Sequence, residues 1–476
     1  MAASAFFMFR ASGRYPISLC SLEGPCGLSA RGVLAGDRQV ISDLWAKPIV
    51  NIRGGTAGSG GCITNPFLIY PIAWLVGRFG CGDDYLALRL PSMIYGCLSV
   101  LVLYLLVARM FNRTSGLIAA WLLAVSSWAI GYSRFCGEFS ATVLFALLCF
   151  CLYHLLNPDR RLGYLALGGM ISLATYFYGT VRMVFPVIAS ALLLDLALVR
   201  KLLRARLENL VFLLCGLVIG LHLQGGGLAT YFRQNLAWDW SEYAGPGEMA
   251  ARFAGTARKA YDQLFRTWGW GEEDGIILER AAVLDPVTRV AFLLGLLWAL
   301  TRLGRPAHRF LILWLVPAIL PPLITHGELR RGFLALPAFC ALAGVGLEET
   351  TRLAFGRLPR ARAALTAAVV IPALALAAYL NYDNYFGLYQ RLGPDHPLLV
   401  RKEQRAALVD LLRRTRVYTD LFRCETGWDE GVRFDEYRLG RPGAVAILPP
   451  EEAAAAFARD SGPCALYLSD GTREEK

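Results

Sequence analysis

The chain has 476 residues, of which 18% are charged and 55% hydrophobic, whereas an ordinary soluble domain is about 25% charged. With a mean hydropathy of +0.43, this composition excludes a disordered chain, a collagen, a disulfide scaffold and a nucleic-acid-binding domain, and points to a membrane protein with about half its length in lipid. The net charge of +11 matters through its placement more than its size. Twelve cysteines are too few for a disulfide framework, and no CxxC or His/Cys metal spacing is present. Cys424 with Cys464 is the pair expected to bond if any does.

In chain order, Met1–Phe9 is apolar but too short to span, and no signal-peptide core is evident. Pro66–Phe79 is apolar and short, so it reads as a helix lying in the membrane interface. Spans need about 20 apolar residues. The runs that reach or approach this are Leu90–Phe111, Ser115–Tyr132, Phe139–Leu156, Leu162–Tyr178, Met183–Val199, Leu210–Leu228, Pro286–Leu303, Phe310–Thr325, Gly332–Leu347 and Ala363–Leu380. After Tyr382 the pattern changes. Helical periodicity at Leu399–Arg414 and Glu451–Arg459 alternates with strand-like runs at Val417–Phe422, Ala444–Leu448 and Ala465–Ser469, predicting a small α/β domain. The expected organisation is therefore an α-helical polytopic membrane protein: residues 1–89 an N-terminal extracytoplasmic or interfacial segment, 90–382 a transmembrane bundle with a long outer loop 229–285, and 383–476 an extracytoplasmic α/β domain.

Lys and Arg set the orientation. One set of alternate loops holds Arg109, Arg113, Arg160, Arg161, Arg200, Lys201, Arg204, Arg206, Arg302, Arg305, Arg309, Arg352, Arg357, Arg360 and Arg362; the opposite short loops hold only Arg134, Arg182, Arg330 and Arg331. The first face is expected to be cytoplasmic, within a multi-pass plasma (inner) membrane protein.

The four outer arginines are then the unusual ones. Snorkelling, or pairing with Glu138 and Glu328, is the bland explanation; together at one depth they fit a lipid phosphate, whose oxygens match the planar guanidinium. Glu138 stands where the chain re-enters the membrane, either paired with Arg134 or used in chemistry. Glu23 opens a helix-like segment, where a carboxylate also suits the helix dipole, and Asp37 and Asp43 are its rivals. Aromatics of the long loop (Trp238, Trp240, Trp268, Trp270, Tyr231, Tyr243, Tyr261) read as an interfacial belt. Asp195 is expected to pair with Arg200, His222 to be a bundle residue, and the Asn112 sequon to be without meaning on a cytoplasmic loop.

In order and in sidedness these segments resemble the GT-C membrane glycosyltransferases of the protein O-mannosyltransferase and aminoarabinose-transferase-like group. The carriers are Ser21-Leu22-Glu23-Gly24 with Ala30-Arg31-Gly32-Val33-Leu34-Ala35-Gly36-Asp37, Asn65-Pro66-Phe67-Leu68-Ile69-Tyr70, Leu88-Arg89-Leu90-Pro91-Ser92, Tyr132-Ser133-Arg134 with Glu138, and Arg330-Arg331-Gly332-Phe333-Leu334-Ala335-Leu336-Pro337. The resemblance implies a GT-C-like helix bundle and transfer of a sugar from a polyprenyl-phosphate donor to a lipid, glycan or protein acceptor outside the cytoplasm. It implies Glu23 as the catalytic carboxylate that acts as base and Glu138 as the second acidic position of the site. Three departures stand out: Leu22 where many members have Asp, Asn65 and Phe67 in place of Lys/His and Pro, and a first span largely missing. A divalent cation is compatible with two carboxylates but not demanded by their spacing. Membrane lipids are expected partners and nucleic acid is not. The rival function, a lipid or solute transporter, would place its polar groups at mid-membrane on broken helices, often in repeats.

Overall fold

The computed structural model describes residues 2–10, 23–46, 65–80, 85–156, 159–177, 179–198, 203–223, 251, 253–258, 261–262, 283–324, 332–358, 360–387, 397–419, 444–448, 450–467 and 473–475. Each expected apolar run coincides with a helix. Ahead of them lie α1 (Ala2–Phe9), α2 (Glu23–Leu34), α3 (Arg38–Ala46) and α4 (Pro66–Phe79). The bundle is built from α5 (Leu86–Met110), α6 (Arg113–Val125), α7 (Ser127–Ser133), α8 (Glu138–Leu155), α9 (Arg161–Ser172), α10 (Val184–Leu198), α11 (Leu203–Leu223), α12 (Pro286–Thr301), α13 (Pro306–Ile324), α14 (Ala335–Phe355) and α15 (Arg362–Tyr382).

By length and composition, α5, α8 and the stretch Arg362–Gly387 are sufficient to cross a membrane, and α6 with α7 makes a fourth bent by 61°. Some of the other apolar helices are shorter among the described residues than the runs that announced them. Leu162–Tyr178, for example, is α9 followed by a 3-10 turn at Leu173–Tyr176. The bundle core centres on α5, α6, α8 and α14, with Trp128, Trp314, Phe150 and Tyr164 fully buried.

Two helix pairs approach so closely that their backbones touch. A Cβ on Gly295 of α12 would fall 1.8 Å from the Leu342 carbonyl of α14, and one on Gly216 of α11 would fall 2.0 Å from the Leu165 carbonyl of α9. Small residues at such crossings are what membrane helices use where lipid supplies no hydrophobic drive between them. By contrast α15 lies outermost, with Val369, Ile371, Leu376 and Tyr379 exposed as a lipid-facing surface.

The break between α6 and α7 frees backbone groups that must be satisfied inside the bundle. Ser126 accepts from the Ala129 N–H, and the Asn381 side chain at the end of α15 accepts the Ser127 N–H at 2.9 Å. Asn381 also donates to Asp285 at 2.9 Å, and Asp285 caps α12 by accepting from Val287 and Thr288. One buried polar chain thus fixes the direction in which α7 leaves α6.

The tail forms α16 (Pro397–Arg414), β1 (Arg416–Thr419), β2 (Val445–Ile447), α17 (Pro450–Arg459), β3 (Cys464–Tyr467) and β4 (Arg473–Glu475). Strand order is β2-β1-β3-β4, the first three parallel and β4 antiparallel. Leu408, Leu411 and Leu412 of α16 cover one face with Val417 and Ala465; Ala453 and Phe457 of α17 cover the other with Tyr418 and Leu466. Strand β4 carries Arg473 and Glu474 and has no apolar alternation, so the sequence gives no strand signal there. Cys424 lies outside the described residues, and Cys464 is buried on β3.

Candidate functional site

Three separate segments meet at one end of the bundle: the start of α2, the start of α5 and the turn between α7 and α8. Glu23, the first residue of α2, is fully buried. Arg89, in the first turn of α5 and 2% exposed, donates Nε–H to Oε1 at 2.8 Å and Nη2–H to Oε2 at 2.9 Å. The Cys136 backbone N–H adds a third bond, to Oε1 at 3.1 Å. One helical turn beyond Arg89, Ser92 donates to the Gly137 carbonyl at 3.2 Å. The Arg-Leu-Pro-Ser sequence therefore puts two side chains at i and i+3 on one face of α5. One fixes the start of α2 and the other the α7–α8 turn.

Glu138 is the first residue of α8, after Gly137, and is only half-buried. Arg182, buried in the 3-10 turn Gly179–Met183, acts on it electrostatically. Cys26 of α2 lies within the field of both carboxylates, so Glu23 and Glu138 share one locality although they stand far apart in the chain.

Arg134, 1% exposed, donates to the carbonyls of Phe7 at 3.3 Å and Arg10 at 2.6 Å, where α1 ends. Its guanidinium lies over the rings of Tyr385 and Phe386, in the π-helical turn that follows α15. Carbonyls at a helix C-terminus attract cations, so this arginine ties α1 and the end of α15 to the α7–α8 turn. Arg330 and Arg331 lie outside the described residues, as do Glu328 and the long-loop aromatics except the exposed Tyr261.

The rival positions resolve into local structure. Asp37 caps α3 by accepting from Gln39 and Val40, and it is exposed. The side chains of Asp43 and Asp195 lie outside the described residues. Asn112 caps α6 by accepting from Ser115, which gives that sequon a structural role. His222 is exposed on α11.

Among the described residues no three His, Cys, Asp or Glu side chains come together as metal ligands. Both oxygens of Glu23 are taken up by the Arg89 guanidinium.

Residues 64–223 match the family described as dolichyl-phosphate-mannose-protein mannosyltransferase. No curated protein matches the sequence. Among solved structures, ArnT from Cupriavidus metallidurans bound to undecaprenyl phosphate matches over 98% of this chain and 92% of that one, at 14% identity and a TM-score of 0.53. The oligosaccharyltransferase AglB from Archaeoglobus fulgidus, in complex with an inhibitory peptide and a dolichol-phosphate, matches over 94% of this chain at 14% identity and a TM-score of 0.53. The chain spans 59% of that protein's length. The fold is that of the GT-C membrane glycosyltransferases. The match covers the bundle and the tail, and the family segment contains Arg89, Arg134, Glu138 and Arg182 of the site.

Sequence reasoning singled out Glu23 and Glu138 but gave Arg89 no role. A basic residue opposite a carboxylate 66 positions away leaves no local signal. Its place at the start of a long apolar run, where a buried arginine requires a partner, was the available clue.

Proposed function

We propose that the chain transfers a sugar from a polyprenyl-phosphate donor to a lipid, glycan or protein hydroxyl on the extracytoplasmic side of the plasma (inner) membrane. The reading rests on one observation: Glu23 and Glu138 converge at the end of the bundle opposite the arginine-rich loops, each beside an arginine, in a chain with the GT-C fold. That end would face outward by the positive-inside rule, together with the α/β tail. The transporter alternative has no support in the fold or in the family match. Mannose is the first sugar to test, since it is the one in the description of the matching family.

Chemically, a lipid phosphate is a fair leaving group and a hydroxyl is a poor nucleophile. Glu138, half-buried and at a helix N-terminus, takes the hydroxyl proton as the oxygen attacks the anomeric carbon. General-base assistance of this kind contributes about 10²–10⁴-fold. The bond from that carbon to the phosphate oxygen breaks on the opposite face, so the anomeric centre inverts. Arg182, with Arg330 and Arg331 of the outer loop as further candidates, offsets the charge growing on the phosphate. Glu23, held by three hydrogen bonds, fixes the α7–α8 turn so that Glu138 is aimed. Arg134 fixes the other side of the same turn.

The experiment is transfer from polyprenyl-phosphate mannose in membranes carrying the full chain, compared among wild type, Glu23→Gln and Glu138→Gln. Loss in both variants supports the paired-carboxylate site. Full transfer in both contradicts it.

A further inference from the structure

Two cysteines meet inside this site. The Cys26 Sγ lies 3.5 Å from the Cys136 carbonyl oxygen, to which its thiol donates, and both cysteines are free thiols in this structure. Both residues are fully buried in the same apolar cluster, among Leu68, Ile69, Ile72 and Leu88. They are 110 positions apart in the chain, so their approach is made by the fold and not by local sequence. Cys26 sits one turn after Glu23, and Cys136 supplies the N–H that holds Glu23. Two buried thiols in one apolar pocket pack as small hydrophobes. In an oxidising compartment they are the raw material of a bridge.

We propose that Cys26 and Cys136 are joined by a disulfide in the mature protein, stapling the first outer segment to the turn that presents Glu138. The proposal rests on the extracytoplasmic placement of this end, as argued above. The bond forms by thiol–disulfide exchange with a disulfide oxidant of that compartment. One cysteine thiolate attacks the oxidant's disulfide and displaces one of its sulfurs as a thiol. The second cysteine then attacks the mixed disulfide and displaces the other. The protein loses two hydrogens and the oxidant's disulfide is reduced to two thiols, so atoms and electrons balance. Burial, and then the neighbouring Cys136, hold the Cys26 thiol well above its ordinary pKa. Thiolate is therefore scarce once the pocket has closed, and the exchange belongs to the folding chain.

The staple has a consequence for the site. The Glu23–Arg89 pair fixes α2 to α5, and Ser92 fixes α5 to Gly137. A bond from Cys26 to Cys136 closes that triangle covalently, and it tolerates a change of charge on the carboxylates that the ion pair does not.

The test uses the full chain in native membranes, quenched in acid, denatured and labelled with a high-mass maleimide with or without prior reduction. Wild type is expected to gain adducts at Cys26 and Cys136 on reduction, and its unreduced digest is expected to contain a peptide pair joining them. Cys26→Ser and Cys136→Ser should each leave the other thiol labelled without reduction. A cysteine-accessibility reporter in the 23–46 segment is read in parallel. Free thiols at both positions with that segment outside overturn the disulfide and leave the orientation intact, as does a bridge from either cysteine to a different partner. Free thiols with the segment in the cytoplasm overturn the orientation, and the disulfide with it.

Discussion

Arg89 grips Glu23 through two parallel hydrogen bonds at 2.8 and 2.9 Å, with neither side chain meaningfully exposed. Bidentate geometry of this kind is the strongest form of carboxylate–guanidinium contact. It joins the start of α2 to the start of α5, and the Cys136 N–H extends the connection to the α7–α8 turn.

Arg89→Ala leaves a buried carboxylate without its counter-charge, and removing one partner of such a pair costs about 3–5 kcal/mol. Thermal unfolding of the detergent-solubilised protein should show that loss, whereas the double variant Arg89→Leu with Glu23→Leu should recover much of it. If the pair only positions the site, the double variant regains stability without regaining full transfer. Recovery of both would mean that the connection is dispensable for the chemistry.

Asn381→Leu removes the acceptor of the Ser127 N–H and the donor to Asp285 at the α6–α7 break. A buried N–H left without a partner costs about 1–3 kcal/mol. We expect a drop of that order in unfolding free energy, together with faster proteolysis near α7. An unchanged melting curve would show that the break is held by other contacts.

Glycine substitution separates close packing from open positions. Gly295→Ala drives a methyl group into the Leu342 carbonyl, while Gly304 has no atom within 4 Å of an added Cβ. The first change should destabilise by about 1–3 kcal/mol, the range for overpacking, and Gly304→Ala should be silent in the same melting assay. Equal effects would contradict the α12–α14 crossing.

Much of the bundle was legible because a lipid-crossing helix needs an uninterrupted apolar run, and the sequence contains such runs at each helix. The tail was legible for a related reason: period-two and period-3.6 patterns alternate over short distances, and β1, β2, β3, α16 and α17 fall where those patterns lie. The α6–α7 break was not legible. Ser126 and Ser127 interrupt an otherwise apolar run without Gly or Pro, and the partner that makes the break affordable, Asn381, comes from the far end of the bundle. Arg134 shows the same limit. Read locally it is four positions before Glu138 and looks like an ion-pair partner, but it caps the end of α7 while Glu138 begins α8, and its side chain donates to the carbonyls of Phe7 and Arg10 at the end of α1. Glu138 was singled out because a charged residue beside an apolar run is costly, and Glu23 because it opens a helix-like segment and matches the resemblance. The proposed division of labour between them rests on Arg89 beside one and a half-buried helix start at the other.

Arg134→Ala and Arg182→Ala should therefore differ. Losing Arg134 releases the end of α1 from the α7–α8 turn, lowering thermal stability and exposing the first residues to protease. Losing Arg182 should instead weaken binding of polyprenyl phosphate itself, measured by displacement of a labelled analogue, with a smaller effect on melting. The reverse pattern would place the donor phosphate at Arg134.

The central claim is that this end of the bundle performs sugar transfer with Glu138 as the proton acceptor. The most direct measurement is single-turnover transfer from polyprenyl-phosphate mannose by Glu138→Gln, with donor binding followed in the same preparation. Gln keeps the size and hydrogen-bonding capacity of the side chain but cannot take the proton. The account predicts a rate lowered by about 10²-fold or more at nearly unchanged donor affinity, the signature of an interaction made in the transition state. A wild-type rate in Glu138→Gln would contradict it.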